Sequence, residues 1–182
     1  DTKGSKSIAI GQGSLFSQNF TTATDSLNVA VGHEAGLSVT TGTQNTIVGS
    51  LAGDALTTGG DNTAVGTFAL SSDDVGSHST AIGYGTLSSQ NFATATDSNN
   101  TAVGHVAGSN VTTGVNSTLI GSGAGDLLTT GDHNTAVGAF ALTSDDIGSK
   151  TTAIGYGTLN TQNYSTATDS HNTAVGYLAG AN

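Results

Sequence analysis

The chain is predicted to be an all-β solenoid, a parallel β-roll or β-helix, and three observations carry the prediction. A five-residue phrase, written in full as Asn62-Thr63-Ala64-Val65-Gly66, recurs ten times. Its closing Gly falls at 11, 32, 49, 66, 83, 104, 121, 138, 155 and 176, in steps of 17 or 21 residues that sum to a longer period of 72. The residues inside the phrase are β-branched, and those after it are rich in Gly. A unit this short cannot bury an apolar face alone and must stack on its neighbours, so residues 1–182 read as one array of 21+17+17+17 super-repeats. Ten layers at a strand spacing of about 4.8 Å give a rod on the order of 45 to 50 Å long. The chain reads as a fragment of a longer fibre.

Taken in order, residues 1–6 form a lead-in carrying two of the three cations, and Ser7 to Gly11 opens the first unit. The second unit, Asn28 to Gln44, gives the plan: a strand Val29-Ala30-Val31, a turn from Gly32 to Gly36, a second strand Val39-Thr40-Thr41 and a turn at Gly42. Val, Ile and Thr suit a pleated surface, and Gly allows the positive φ of tight turns. Alternation along a strand sends Thr63 and Val65 to one side and Ala64 to the other. The unbroken apolar column through Val65 is expected to be the core of the coil. The column through Ala30, Ile47, Ala64, Ala81, Ala102, Leu119, Ala136 and Ala153 is expected to meet another chain, since small apolar residues allow close approach.

Units three and four differ in an ordered way. Unit three keeps Leu56-Thr57-Thr58-Gly59, whereas unit four has Asp73-Asp74-Val75-Gly76 there and Leu70 where its neighbours have Gly36 and Gly53. A shift of register is expected, with Leu70 filling the space of Leu56; Leu142 and Asp145-Asp146-Ile147 repeat the change. Unit five holds four extra residues around Ser89-Gln90-Asn91-Phe92, with Leu87 in the role of Leu70, and the insertion returns at Ser17 to Phe20 and Thr161 to Tyr164. Insertions in stacked repeats sit in turns, so these are expected to protrude.

Three Lys and Arg against thirteen Asp and Glu leave nothing to neutralise phosphates or anionic lipid, which argues against nucleic acid and membrane surfaces. No apolar run approaches the ~20 residues of a spanning helix, so direct membrane insertion is not expected. The absence of Cys suits an extracellular chain held by backbone pairing, and the absence of Pro keeps every N–H for the ladder.

With the phrase NTAVG followed by AG and TTG, the chain resembles repeats of tail-fibre-like proteins and, more distantly, the heads of YadA-like trimeric autotransporter adhesins, whose phrase is close to the Ser7-Ile8-Ala9-Ile10-Gly11 seen here. The resemblance implies a homotrimer of left-handed parallel β-rolls at a cell surface or on a virion. The units here are longer than the 14 to 15 residues of the adhesin heads, and no neck, stalk, anchor or self-cleaving chaperone domain is present in these 182 residues. The expected function is therefore a structural and adhesive segment of a trimeric surface fibre, attaching to a cell-surface glycan or another receptor, and not an enzyme.

Candidate ligand-binding residues are Phe20, Tyr84, Asn91, Phe92, Tyr156, Asn163 and Tyr164, because flat rings beside amides suit stacking on sugars; the bland alternative is that a ring covers the base of its own loop. Asp73, Asp74, Asp145 and Asp146 are the candidate ligands for Ca²⁺, and a His or Asp from each chain could hold an ion on a threefold axis; otherwise no cofactor is expected. The Thr pairs at 40-41, 57-58, 112-113 and 129-130 raise an ice-binding solenoid as the alternative function, although adjacent Thr residues point to opposite faces. A β-helical polysaccharide-active enzyme is a third, with no nucleophile and base in sight.

Overall fold

The computed structural model describes residues 3–181. It is a parallel β-solenoid with no helix among those residues, and therefore none long enough to cross a membrane. Ten strands of three residues, from Ile8–Ile10 and Val29–Val31 to Thr152–Ile154 and Thr173–Val175, lie side by side in chain order in one sheet. Thr63, Ala64 and Val65 stand opposite Thr80, Ala81 and Ile82. The same register holds across a 21-residue step, where Thr80 faces Thr101, so the insertion is absorbed outside the sheet. The end of each insertion pairs with the preceding coil in a small parallel ladder of its own: Thr24–Asp25 on Gly4–Ser5, Thr96–Asp97 on Gly76–Ser77, and Thr168–Asp169 on Gly148–Ser149.

The second predicted strand, Val39-Thr40-Thr41, is a bend. One carbonyl, that of Thr57 in the next layer, accepts from the N–H groups of Thr40, Thr41 and Gly42 at 2.9, 3.3 and 3.2 Å and from the Thr40 hydroxyl at 3.1 Å. Three successive N–H groups converging on one oxygen curl the backbone, whereas a strand sends alternate groups outward.

The two columns of the strand are the reverse of the expectation. Ala30, Ile47, Ala64, Ala81, Ala102, Leu119, Ala136 and Ala153 are wholly enclosed within their own coil, so the residues expected to meet another chain form the core instead. The Val65 column, expected inside, points out; its inner rungs are half-buried or, as at Ile82, Ile120 and Ile154, 38% exposed. The cause is volume. A 17-residue coil closes a narrow interior, and the opposite wall already brings in Leu56, Leu70 or Leu87 together with Ala35, Ala52 and Ala69. Where a large residue does occupy the inner column, at Ile47 and Leu119, the opposite wall is glycine in that layer, Gly53 and Gly125, and in the layer before it, Gly36 and Gly108. A Cβ on Gly36 would lie 3.0 Å from Ile47 Cδ1, and one on Gly108 would lie 2.6 Å from Leu119 Cδ1.

The expected exchange in unit four holds: Leu70 is fully buried and Asp73 stands where Leu56 stood. Register does not shift, since the Thr57 N–H still donates to the carbonyl of Asp74, seventeen residues on, at 2.7 Å. Glycine ends each strand because the turns stack backbone on backbone. At Gly66, φ is +130° and a Cβ would lie 2.4 Å from the Gly83 carbonyl oxygen.

Candidate functional site

The Asn that opens the phrase supports the sheet from within. Asn62 donates from Nδ2 to the Gly76 carbonyl at 2.9 Å, accepts at Oδ1 from the Ser79 N–H at 2.8 Å, and donates its own N–H to Asn45 Oδ1 at 3.0 Å. This buried amide ladder leaves each strand only its two outward side chains with which to meet anything else.

The insertions do not present rings. Phe92 is 5% exposed and Phe20 6%, each turned back over its loop base, so neither is a protruding contact. Gln90 is buried and tied on three sides: Nε2 donates to Asp73 Oδ2 at 2.6 Å and Ser79 Oγ at 2.7 Å, and Oε1 accepts from Asn100 Nδ2 at 2.9 Å. Gln162 repeats this with Asp145, Thr151 and Asn172. Tyr164 is half-buried, its hydroxyl accepting from Asn172 Nδ2 at 3.1 Å. Asn91 and Asn163 remain exposed, and the outermost part of the middle loop is small: Ala93, Thr94 and Ala95. The role of Gln90 was legible only as one more residue of an insertion; its partner Asp73, an acid at an apolar position, was the available signal.

Asp73 and Asp145 do not form a cation cage. Both are buried, and Asp73 accepts from the Gly76 N–H at 3.0 Å as well as from Gln90. Burial raises the Asp73 carboxyl above its ordinary value, and the Gln90 and Gly76 hydrogen bonds oppose that rise. Asp74 and Asp146 each keep one buried oxygen without a hydrogen-bond donor, yet no group of three or more metal-ligating side chains occurs among the described residues.

Tyr84 and Tyr156 lie apart from the insertions, at the corner just after the strand. Tyr84 stacks on His105 with ring centroids 5.5 Å apart and meets Phe68 edge-on at 5.9 Å. Tyr156 does the same with Tyr177 at 5.4 Å and Phe140 at 5.9 Å. Each of these tyrosines thus has one ring stacked on it and another at right angles, and each keeps about half of its surface open, Tyr84 51% and Tyr156 48% exposed.

The largest regular surface is the outer side of the sheet itself. Its two columns run Ile8, Val29 and then Thr from 46 to 173, beside Val or Ile at every rung, and no charged side chain interrupts either column, in a chain of net charge −10. The corner before the strand is different: His78 lies 3.1 Å from Asp97 and 3.9 Å from Asp61, and Lys6 and Lys150 pair with Asp25 and Asp169. Of the Thr pairs, the first member is structural, Thr57 Oγ1 donating to the Asp74 carbonyl at 2.9 Å, while the second is exposed. Comparison with known protein families, with curated proteins and with solved structures finds no match.

Proposed function

We propose that the chain is a structural and adhesive segment of a homotrimeric surface fibre, working outside the cell on a cell surface or a virion, and that its protomers associate through the outer Thr and Val/Ile columns. One observation carries this reading: a continuous, uncharged, β-branched strip runs the length of a chain that is acidic elsewhere. Exposed apolar surface on that scale marks a contact surface, and a strip free of carboxylates lets acidic copies meet without like-charge repulsion. Three chains match the resemblance of the repeats to fibre proteins. The reading is of contact and spacing, not catalysis. Adhesion to a glycan or other receptor falls to exposed groups repeated every four layers, such as Asn91 and Asn163, whose weak single contacts add through multivalency.

A second reading rests on the Thr column alone. Eight successive outward Thr residues on a regular parallel sheet make an ordered array of hydroxyl and methyl groups, which is what an ice-binding face requires. The same strip cannot be covered by partners and free for ice. Light scattering separates the two: the fibre reading expects three times the 17.7 kDa protomer mass, and a monomer showing thermal hysteresis would replace it.

A further inference from the structure

Resting on that proposed self-association, we infer that the two ring clusters are axial register keys that set the height at which one copy of this chain meets another. The strip alone is too small and too uniform to do so. Three residues at about 3.3 Å across ten strands at about 4.8 Å make a face of about 500 Å², short of the ~800 Å² per partner of a stable interface. Contact must therefore extend past the strip to a flanking corner. One corner carries Asp61, His78 and Lys150 with their ionic partners. The other carries rings; over the two positions after each strand-ending Gly its one carboxylate in ten layers is Glu34, beside His33 at 3.7 Å and outside both ridges. Interfaces favour aromatic side chains and exclude charge, so the ring corner is the one that extends the contact.

The strip is also self-similar. Sliding one copy by one layer replaces Thr with Thr and Val with Ile, so the ladder contacts barely distinguish the slipped pairing from the aligned one. The rings are not self-similar. Phe68, Tyr84 and His105 make a ridge over three successive layers, the next layer offers only Ser122 and Gly123, and Phe140, Tyr156 and Tyr177 make the second ridge. The ridges stand 72 residues apart, which is four layers. Any surface that a ridge meets on the other copy follows the same 72-residue period, so a slip of one layer forfeits the ring contacts and a slip of four restores them.

The experiment uses the full chain in two single-cysteine forms on adjacent outward rungs, Val103→Cys and Ile120→Cys, mixed, refolded together and oxidised. Disulfides between like positions report aligned copies, and disulfides between unlike positions report a slip of one layer. Like pairs should exceed unlike pairs by about tenfold with the rings in place, the ratio a ring contact of ordinary strength supplies. Replacing the rings with the small and aliphatic residues of other layers (Phe68→Leu, Tyr84→Ser, His105→Ser, Phe140→Leu, Tyr156→Ser, Tyr177→Ser) should bring the two yields level while the assembly keeps its mass. A second variant adds rings in the gaps, Ser50→Tyr with Ser122→Tyr. It removes no contact and should also level the yields, because a continuous ridge no longer marks a height. An oligomer that keeps the wild-type ratio in both variants overturns the register role and leaves self-association standing. A monomer that forms no disulfide above background ends both.

Discussion

The inner and outer columns of the same strand obey opposite rules. Inside, bulk is rationed layer by layer: Ala64 faces Leu70, whereas Ile47 faces Gly53 and Leu56. Outside, every rung carries two β-branched side chains whatever the layer contains, Thr with Val or Ile in the last eight and Ile or Val in both places in the first two. The difference teaches that the interior is fitted one coil at a time, while the exterior is kept uniform along the rod. A core tolerates local solutions so long as each layer is filled; a surface that meets a long partner gains from sameness.

The sharpest way to break this comparison is a charge on each side of one strand. Ala64→Glu would leave a carboxylate without a partner in a filled interior, at a cost of several kcal/mol that should abolish the cooperative urea transition. Val65→Glu points to solvent in the single chain and should stay within about 1 kcal/mol of wild type while lowering the oligomeric mass. Circular dichroism with light scattering reads both. Equal damage at the two positions would show that the columns are not distinct.

A smaller effect tests the layer-by-layer fit. Ile47→Ala should cost about 2–4 kcal/mol through the cavity it leaves, and Gly53→Leu about 1–3 kcal/mol through overpacking. The double variant exchanges the bulk of Ile47 for that of a Leu at 53 while Leu56 stays in place, so its cost should fall below the sum of the two. Additive losses in denaturant titrations would mean that the two residues do not share one space.

Much of the fold was legible because repetition is. The ten strands, their pairing and the exchange of Leu70 for Leu56 follow from spacing and from which positions change together. Which column faces inward was not legible from Ala64 and Val65 themselves, since both are apolar and alternation is silent about side. The clue lay across the coil, in the Gly that accompanies Ile47 and Leu119, and it needed the cross-section to be read. Gln90 was misplaced for a related reason, while the burial of Phe92 follows the alternative in which a ring covers its own loop. An insertion was expected to project, but its amide meets a buried acid one layer away and its ring follows.

That buried acid gives the smallest and most specific effect. Asp73 is raised above its ordinary value chiefly by burial, with the Asp74 charge adding to the rise and the Gln90 and Gly76 hydrogen bonds opposing it. A carboxyl whose folded value exceeds its unfolded one binds more protons when native, so its effect on stability is most favourable in acid and fades as pH rises through the folded value. Asp54 and Asp126, raised by burial, act in the same direction. Asp25 and Asp169, lowered by hydrogen bonds from Lys6 and Lys150, act oppositely, their contribution being lost as pH falls through their folded values. Both are fully exposed, and solvent screens them. Between the model-peptide value of 3.8 and the raised value of Asp73, the wild-type urea midpoint should therefore increase on acidification more than that of Asp73→Asn. The variant keeps all four of the other carboxyls, so the difference between the two slopes belongs to Asp73. Parallel slopes would mean that water reaches this carboxylate, and that the interior of the polar coils is less closed than that of the coils around Leu56.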